Sequence, residues 1–357
     1  MSGGYAAFRA RASQRCVPLG LHLELTYRCN ARCSHCFQDR SAAPCELELS
    51  DWCAVLEQAR RLGALTVSLS GGEALLSPHF FGVAERAREL GYAVRILTNG
   101  LLLDRGTVRR IARLSPLAVE VSVFSLQSDR HDAVTGVPGS LGKALRGILR
   151  LRRASVPLVV KCPLLLGTAD DHAAVRQLAE RLGAGFVFDP HIQMAADGRA
   201  GPTRCRGDDR AVEAYFADPA TQAYDPPRAA PVTGDRPTCG MGRTFLAVAP
   251  DGRVLPCVVL PLSAGNVLDQ PLDVIWKESP LLAKLRARSF GDLEKCAACP
   301  RSGYCDRCSA LALLEDGDLD GPSTRACKIA ELRERAWGVE PPEGIPAPRP
   351  RARLRVL

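Results

Sequence analysis

Between residues 22 and 190 the apolar positions switch back and forth between two periods. Leu23-Glu24-Leu25-Thr26-Tyr27 alternates apolar with polar, the period-two signature of a short strand. The same texture returns at 65–70, 93–97, 119–124, 158–162 and 186–189. Between these runs, segments near 51–62, 79–90, 104–114, 140–153 and 169–182 carry the longer helical period. Ser50-Asp51 offers an N-cap to the first helix and Gly63 a stop. Strand and helix in steady alternation predict an α/β fold of parallel units. Six of them make a partial (β/α)6 version of the eight-unit TIM-like barrel, whose ligands sit at the C-terminal ends of the strands.

Outside that core the pattern weakens. Residues 1–20 read as an arm without periodicity, and 191–238 as a Pro-, Gly-, Asp- and Arg-rich connection that forms part of a substrate cleft. A cysteine-rich domain (239–335) opens with a β-hairpin, two apolar runs flanking Pro250-Asp251-Gly252. It closes with a helix over 324–337. The Pro/Arg-rich tail, 336–357, carries Arg349, Arg351, Arg353 and Arg355. The barrel itself occupies 21–190, and its segment 127–140 reads as a loop whose Ser140 caps the next helix.

Composition narrows the class. The chain has 357 residues, 46% hydrophobic and 24% charged, as in a soluble globular protein. No apolar run is long enough to span a bilayer, and the N-terminus lacks the apolar core of a secretory signal. Fifteen cysteines without an export signal argue for metal or redox chemistry in a reducing cytoplasm. A net charge of +8 suits a solvated surface or an acidic partner such as a peptide, and nothing points to nucleic acid or membrane.

The first strand runs into Cys29, Cys33 and Cys36, spaced C-x3-C-x2-C. Three thiolates in one loop hold three corners of a cubic iron–sulfur cluster and leave one iron open. A Cys3His zinc site including His35 is the alternative on these residues alone. This loop directly after a strand resembles that of the radical S-adenosylmethionine (radical SAM) enzymes. There the amino and carboxylate groups of SAM chelate the open iron, and an electron from the cluster cleaves SAM to methionine and a 5′-deoxyadenosyl radical. Gly71-Gly72-Glu73, at the end of the second strand, resembles the family's GGE motif, whose backbone binds the SAM amino group. The family commonly has Pro where this chain has Ala74. Thr98-Asn99-Gly100 and Ser122 resemble strand-end residues near the ribose and methionine of SAM. The resemblance also places Phe37 among the cofactor contacts, and Lys161, ending the fifth strand, is a candidate carboxylate ligand or structural ion-pair partner. His131-Asp132 with Thr135-Gly136 and Gly139-Ser140 recurs in members with a C-terminal cluster extension.

That extension follows. Cys239, Cys257, Cys296, Cys299, Cys305, Cys308 and Cys327 resemble the SPASM domain, which binds auxiliary iron–sulfur clusters in peptide-modifying radical SAM enzymes. The spacing before Cys308 is one residue shorter than the family's. By this analogy Cys296, Cys299, Cys305 and Cys327 hold one cluster. Cys239, Cys257 and Cys308 hold another, with a fourth position that is open or filled by a carboxylate, a water or Cys205. The implied complement is SAM and three 4Fe–4S clusters. Paired C-x2-C knuckles also fit a zinc ribbon.

The expected activity is maturation of a ribosomally made peptide by hydrogen abstraction, giving an oxidative cross-link or a related modification. Sulfatase maturation and oxidative decarboxylation are the other family outcomes; Val258, where formylglycine-forming relatives have an acid, speaks against the first. Epimerisation is the main rival, with Cys205 as hydrogen donor and Asp189 or Asp197 nearby in sequence. An iron–sulfur electron carrier is the non-enzyme rival. Expected partners are the precursor peptide, a separate leader-binding protein, and a flavodoxin or ferredoxin reductant.

Overall fold

The computed structural model describes residues 2–38, 45–224 and 234–338. Six strands come from the alternating segments: β1 (Gly20–Glu24), β2 (Thr66–Ser70), β3 (Ala93–Thr98), β4 (Ala118–Ser122), β5 (Leu158–Pro163) and β6 (Gly185–Asp189). Each pairs in parallel with the next, in the order β6-β5-β4-β3-β2-β1. This is the partial barrel expected from the alternation of periods.

An N-terminal helix, α1 (Ser2–Gln14), precedes β1, so the arm is ordered as helix where no periodicity announced it. Helices α2 (Leu49–Arg61), α3 (Phe80–Glu89), α4 (Arg105–Arg113), α5 (Ser128–Thr135), α6 (Ser140–Arg153) and α7 (His172–Arg181) cross between strands. Their apolar faces close the core with the outward sides of the strands, where Trp52, Leu56, Leu69, Ile96 and Val160 are fully buried. The predicted cap of α2 lies too far along the chain. The helix starts after Glu48, whose N–H bonds to Asp51 Oδ2 at 3.0 Å.

The other strand face carries charge. Arg95 and Glu120 form a buried ion pair, and Lys161 Nζ stands 3.4 Å from Glu120 Oε2. A buried carboxylate held by two cations offsets part of the cost of taking it out of water.

Two readings of connecting segments are corrected. Residues 127–140 are largely α5 rather than loop, and α6 is capped by Asp132 rather than by Ser140. The Asp132 carboxylate accepts from Gly139 N at 2.5 Å, Ser140 Oγ at 2.7 Å and Leu141 N at 3.1 Å. Connection 191–238 contains α8 (Asp209–Ala217) and α9 (Pro219–Tyr224). Val212 and Phe216 of α8 pack on Ile329, Leu332 and Ala336, a face too short to register as a period.

The cysteine-rich domain begins inside the same sheet. β7 (Phe245–Val248) lies parallel to the free edge of β1, from Gly20↔Phe245 to Leu23↔Val248. It turns into β8 (Arg253–Leu255) and then β9 (Gly265–Asn266), completing nine strands. Helices α10 (Leu272–Glu278), α11 (Pro280–Ala287), α12 (Glu294–Ala297), α13 (Ser309–Asp316) and α14 (Thr324–Trp337) follow. The arginines at 349–355 lie outside the described residues. Among the described residues no helix is long and apolar enough to cross a membrane.

Candidate functional site

The loop after β1 is braced on both sides. Gly72 N donates to Thr26 O at 2.7 Å and Glu73 N to Arg28 O at 2.9 Å. A Cβ on Gly71, at φ +134°, would lie 2.2 Å from Thr26 O, and one on Gly72 2.5 Å from Arg28 O. The two glycines are therefore required by the backbone of the loop's own stem. On the far side Arg32 N donates to Thr135 O at 2.7 Å and Ser34 N to Val134 O at 3.0 Å, so the C-terminal end of α5 anchors the span between Cys29 and Cys36.

Glu73 is buried. Its carboxylate accepts from Thr98 Oγ1 and Asn99 N, both at 2.8 Å, and from Leu75 N at 3.3 Å. Burial raises its pKa against the pull of those donors. Asn99 in turn donates from Nδ2 to Asn30 Oδ1 at 2.7 Å, and its Nδ2 lies 3.8 Å from Cys29 Sγ. Gly71, Gly72, Glu73 and Asn99 thus surround the cysteine loop and hold it.

A cavity of about 240 Å³ opens beside this loop at the C-terminal ends of β4, β5 and β6. His35, Phe37, Ser122, Lys161, Asp189 and His191 line it together with Phe124 and Ile192. Four of the predicted residues, Phe37, Ser122, Lys161 and Asp189, meet in this one space. Burial lowers the pKa of Lys161, with Asp189 acting the other way. It holds the His35 imidazole at about 4. Asp189 Oδ1 accepts from His191 N at 2.8 Å. Cys205 is not among the lining residues; it packs with Cys33 against Phe124, Val134, Leu165 and Ile192. Asp197 pairs with Arg199. In the sequence His35 reads only as a candidate zinc ligand and His191 carries no motif; the strand-end rule is the signal that points to His191, which follows β6 by two residues.

The seven later cysteines form two groups. Cys239, Cys257 and Cys308 surround an apolar knot of Met241, Leu260, Leu285 and Ala310. Burial pushes the Cys239 thiol up to about 11 and that of Cys257 up to about 12, and the nearness of Cys308 adds to both. Around Cys305, burial first and then Cys327, Cys296 and Cys299 push the thiol up to about 12. Cys239, Cys257 and Cys308 thus lie together, Cys305 lies with Cys296, Cys299 and Cys327, and Cys205 stands with neither group.

The donors suit iron–sulfur clusters. No disulfide links the cysteines. Backbone N–H groups already point at sulfur: Ala31 at Cys29 (3.5 Å), Met241 at Cys239 (3.4 Å) and Leu260 at Cys257 (3.3 Å). Such bonds stabilise cluster thiolates.

Comparison with known proteins agrees. Residues 23–179 match the radical SAM superfamily and residues 239–300 the SPASM iron–sulfur cluster-binding domain. The chain is 30% identical over 343 residues to a PqqA peptide cyclase of Gluconobacter oxydans, covering 89% of this chain and 92% of that one. It is 27% identical over 331 residues to an AdoMet-dependent heme synthase of Methanosarcina barkeri, covering 83% and 92%. The fold is shared with Streptococcus suis SuiB bound to its precursor peptide SuiA, at a TM-score of 0.68, 17% identity and coverage of 89% and 78%. It is also shared with anSMEcpe bound to AdoMet, at 0.67, 16%, 89% and 93%. With the braced three-cysteine loop and both cysteine groups in place, the chain belongs to the radical SAM superfamily: it is an enzyme of the SAM and 4Fe–4S type with auxiliary iron–sulfur clusters in a SPASM domain.

Proposed function

We propose that this enzyme is a maturase of a ribosomally made peptide, forming an oxidative cross-link or related modification. The observation that carries the reading is the cavity's double wall. The cysteine loop contributes His35 and Phe37, and the end of β6 with the segment after it contributes Asp189, His191 and Ile192. That second wall is tied to the auxiliary domain. Arg325 Nη2 donates to Pro190 O at 3.0 Å, and Arg206, which pairs with Glu315, donates from Nε to Ile192 O at 2.7 Å. A substrate in this space lies between the SAM site and the auxiliary clusters. The homology to a peptide cyclase supports a peptide as that substrate.

Cys29, Cys33 and Cys36 would hold the SAM-binding cluster. Cys239, Cys257 and Cys308 would hold one auxiliary cluster, and Cys296, Cys299, Cys305 and Cys327 the other, making three 4Fe–4S clusters. With SAM bound, the first cluster would supply the electron that cleaves SAM, and SAM the 5′-deoxyadenosyl group for hydrogen abstraction from a substrate carbon. Phe37, Phe124 and Ile192 exclude water around that carbon. Ser122 and Lys161 offer a hydroxyl and a cation to the ribose and carboxylate of SAM. Asp189 presents a carboxylate that accepts the proton leaving an oxidised substrate. A separate leader-binding protein would deliver the peptide, and a flavodoxin or ferredoxin would supply electrons.

The test is the mass of a peptide encoded beside this gene, after anaerobic reaction with SAM and reductant in deuterated water. Loss of two hydrogens supports oxidative cross-linking. One carbon-bound deuterium that disappears in Cys205→Ala would establish the epimerase reading instead. Because Cys205 packs behind the wall, Cys205→Ala should leave the product unchanged. SAM cleavage with no change in the peptide would refute the proposal.

A further inference from the structure

The segment that joins the two auxiliary cysteine groups carries a buried charge that the ion-pair network does not explain. Cys305 belongs to one group and Cys308 to the other, and Arg307 stands between them in the chain. Its side chain is pulled inward, leaving the residue 8% exposed. Nη1 donates to Ser309 Oγ at 2.6 Å, and Nη2 to Leu319 O at 2.8 Å and Gly321 O at 2.6 Å. Nε is buried with no partner. Among the described residues no carboxylate pairs with this guanidinium, whereas Asp306 beside it is taken by Arg333 at 2.8 Å.

A buried cation without an anion is costly, since the desolvated charge has nothing to repay it. Arginine cannot escape by losing its proton. Neutral acceptors on three sides fix the fork without compensating its charge. The missing anion has a source in the neighbourhood. Cys305 of one group and Cys308 of the other flank Arg307 within two residues, and its unpartnered Nε is buried beside them in the chain. A cluster bound by thiolates is anionic, and becomes more so by one charge on reduction.

We propose that Arg307 is a shared positioning and tuning residue of the two auxiliary clusters, giving its Nε–H to a sulfur of one and holding both at higher reduction potential through its charge. The proposal rests on the two-cluster reading given above. A fixed cation favours the reduced, more negative form, and hydrogen bonds to sulfur act in the same direction. Both centres thereby become better electron acceptors, as an oxidative modification requires.

The test uses the fully reconstituted enzyme. Iron and sulfide are counted first, then midpoint potentials are read by EPR-monitored titration. In Arg307→Met the reduction equilibrium of both auxiliary clusters should fall by about tenfold or more, about 59 mV for a one-electron couple. The SAM-binding cluster should not move. Arg307→Lys, which keeps the charge and loses the fork, should shift only the cluster that accepts from Nε. Full loading with both potentials unchanged in Arg307→Met overturns the proposal alone. Iron sufficient only for the barrel cluster overturns the two-cluster reading and the proposal with it. If Arg307→Met does not load, native enzyme carrying nitrogen-15 arginine decides the matter. Pulsed EPR of the reduced auxiliary centres should show a nitrogen coupling that is absent from Arg307→Lys, and no such coupling refutes the assignment.

Discussion

Glu73 sits in the family's SAM-binding motif, yet its carboxylate is spent on the protein. Its three bonds tie the end of β2 to Thr98 and Asn99 of the β3 end, and Asn99 continues to Asn30 beside Cys29. In Glu73→Gln, the amide oxygen can take the place of Oε2 and accept from Asn99 N, while the amide nitrogen donates to Thr98 Oγ1. The long bond from Leu75 N is lost and the Thr98 hydroxyl proton loses its acceptor, at a cost of about 1–3 kcal/mol. In Glu73→Ala, two short bonds vanish and their buried donors go unpaired, costing about 2–5 kcal/mol. The assay is SAM KM and 5′-deoxyadenosine formation by the reconstituted variants, with denaturant unfolding alongside. Glu73→Gln should keep SAM KM within about threefold of native, since bracing needs acceptors rather than charge. Glu73→Ala should unfold earlier and lose iron from the barrel site. A tenfold rise in SAM KM in a stable Glu73→Gln, about 1.4 kcal/mol, would show that the carboxylate charge acts on the cofactor, and would refute the bracing role. The sign with pH is also set. Burial raises the pKa of Glu73, so its contribution to stability is complete below the ordinary carboxylate value and is lost as pH rises through the folded value. Glu73→Gln should remove that part of the pH dependence.

Two further perturbations probe the anchor of the cysteine loop. His131 is buried, with Nδ1 accepting from Phe124 N at 3.2 Å, and burial holds its pKa at about 4. A depressed pKa gives stability that is complete above the unfolded value and lost on acidification, worth about 2 kcal/mol at pH 5. His131→Asn, whose amide oxygen can accept in place of Nδ1, should therefore show a smaller loss of unfolding midpoint between pH 7 and pH 5; equal losses would contradict it. Asp132→Ala removes the acceptor for Gly139 N, Ser140 Oγ and Leu141 N, and should cost about 1–2 kcal/mol as a lost cap. Because α5 ends under Arg32 and Ser34, the same variant should lose iron from the barrel site faster during dialysis, with the auxiliary sites unaffected.

What the chain reveals before folding depends on how local each cause is. The parallel strands were legible because alternation at period two is a property of a few adjacent residues, and Phe37, Ser122, Lys161 and Asp189 share a cavity because strand ends converge in such a barrel. The glycines at 71–72 match a motif whose backbone meets SAM, but their neighbour is the backbone of Thr26 and Arg28, a contact across more than forty residues that spacing does not encode. Helix α8 was missed for a related reason: Val212 and Phe216 become a buried face only against α14. The short gap before Cys308 shows the opposite case. One residue fewer than the family pattern still leaves Cys308 with Cys239 and Cys257, where it is the residue before the first turn of α13. The segment 305–308 then joins the two cysteine groups over the shortest path in the chain, and Arg307 is the side chain left to turn inward between them. A motif reads the cysteines; only packing shows that the Arg307 cation on the segment joining them is held by neutral acceptors and, among the described residues, by no carboxylate.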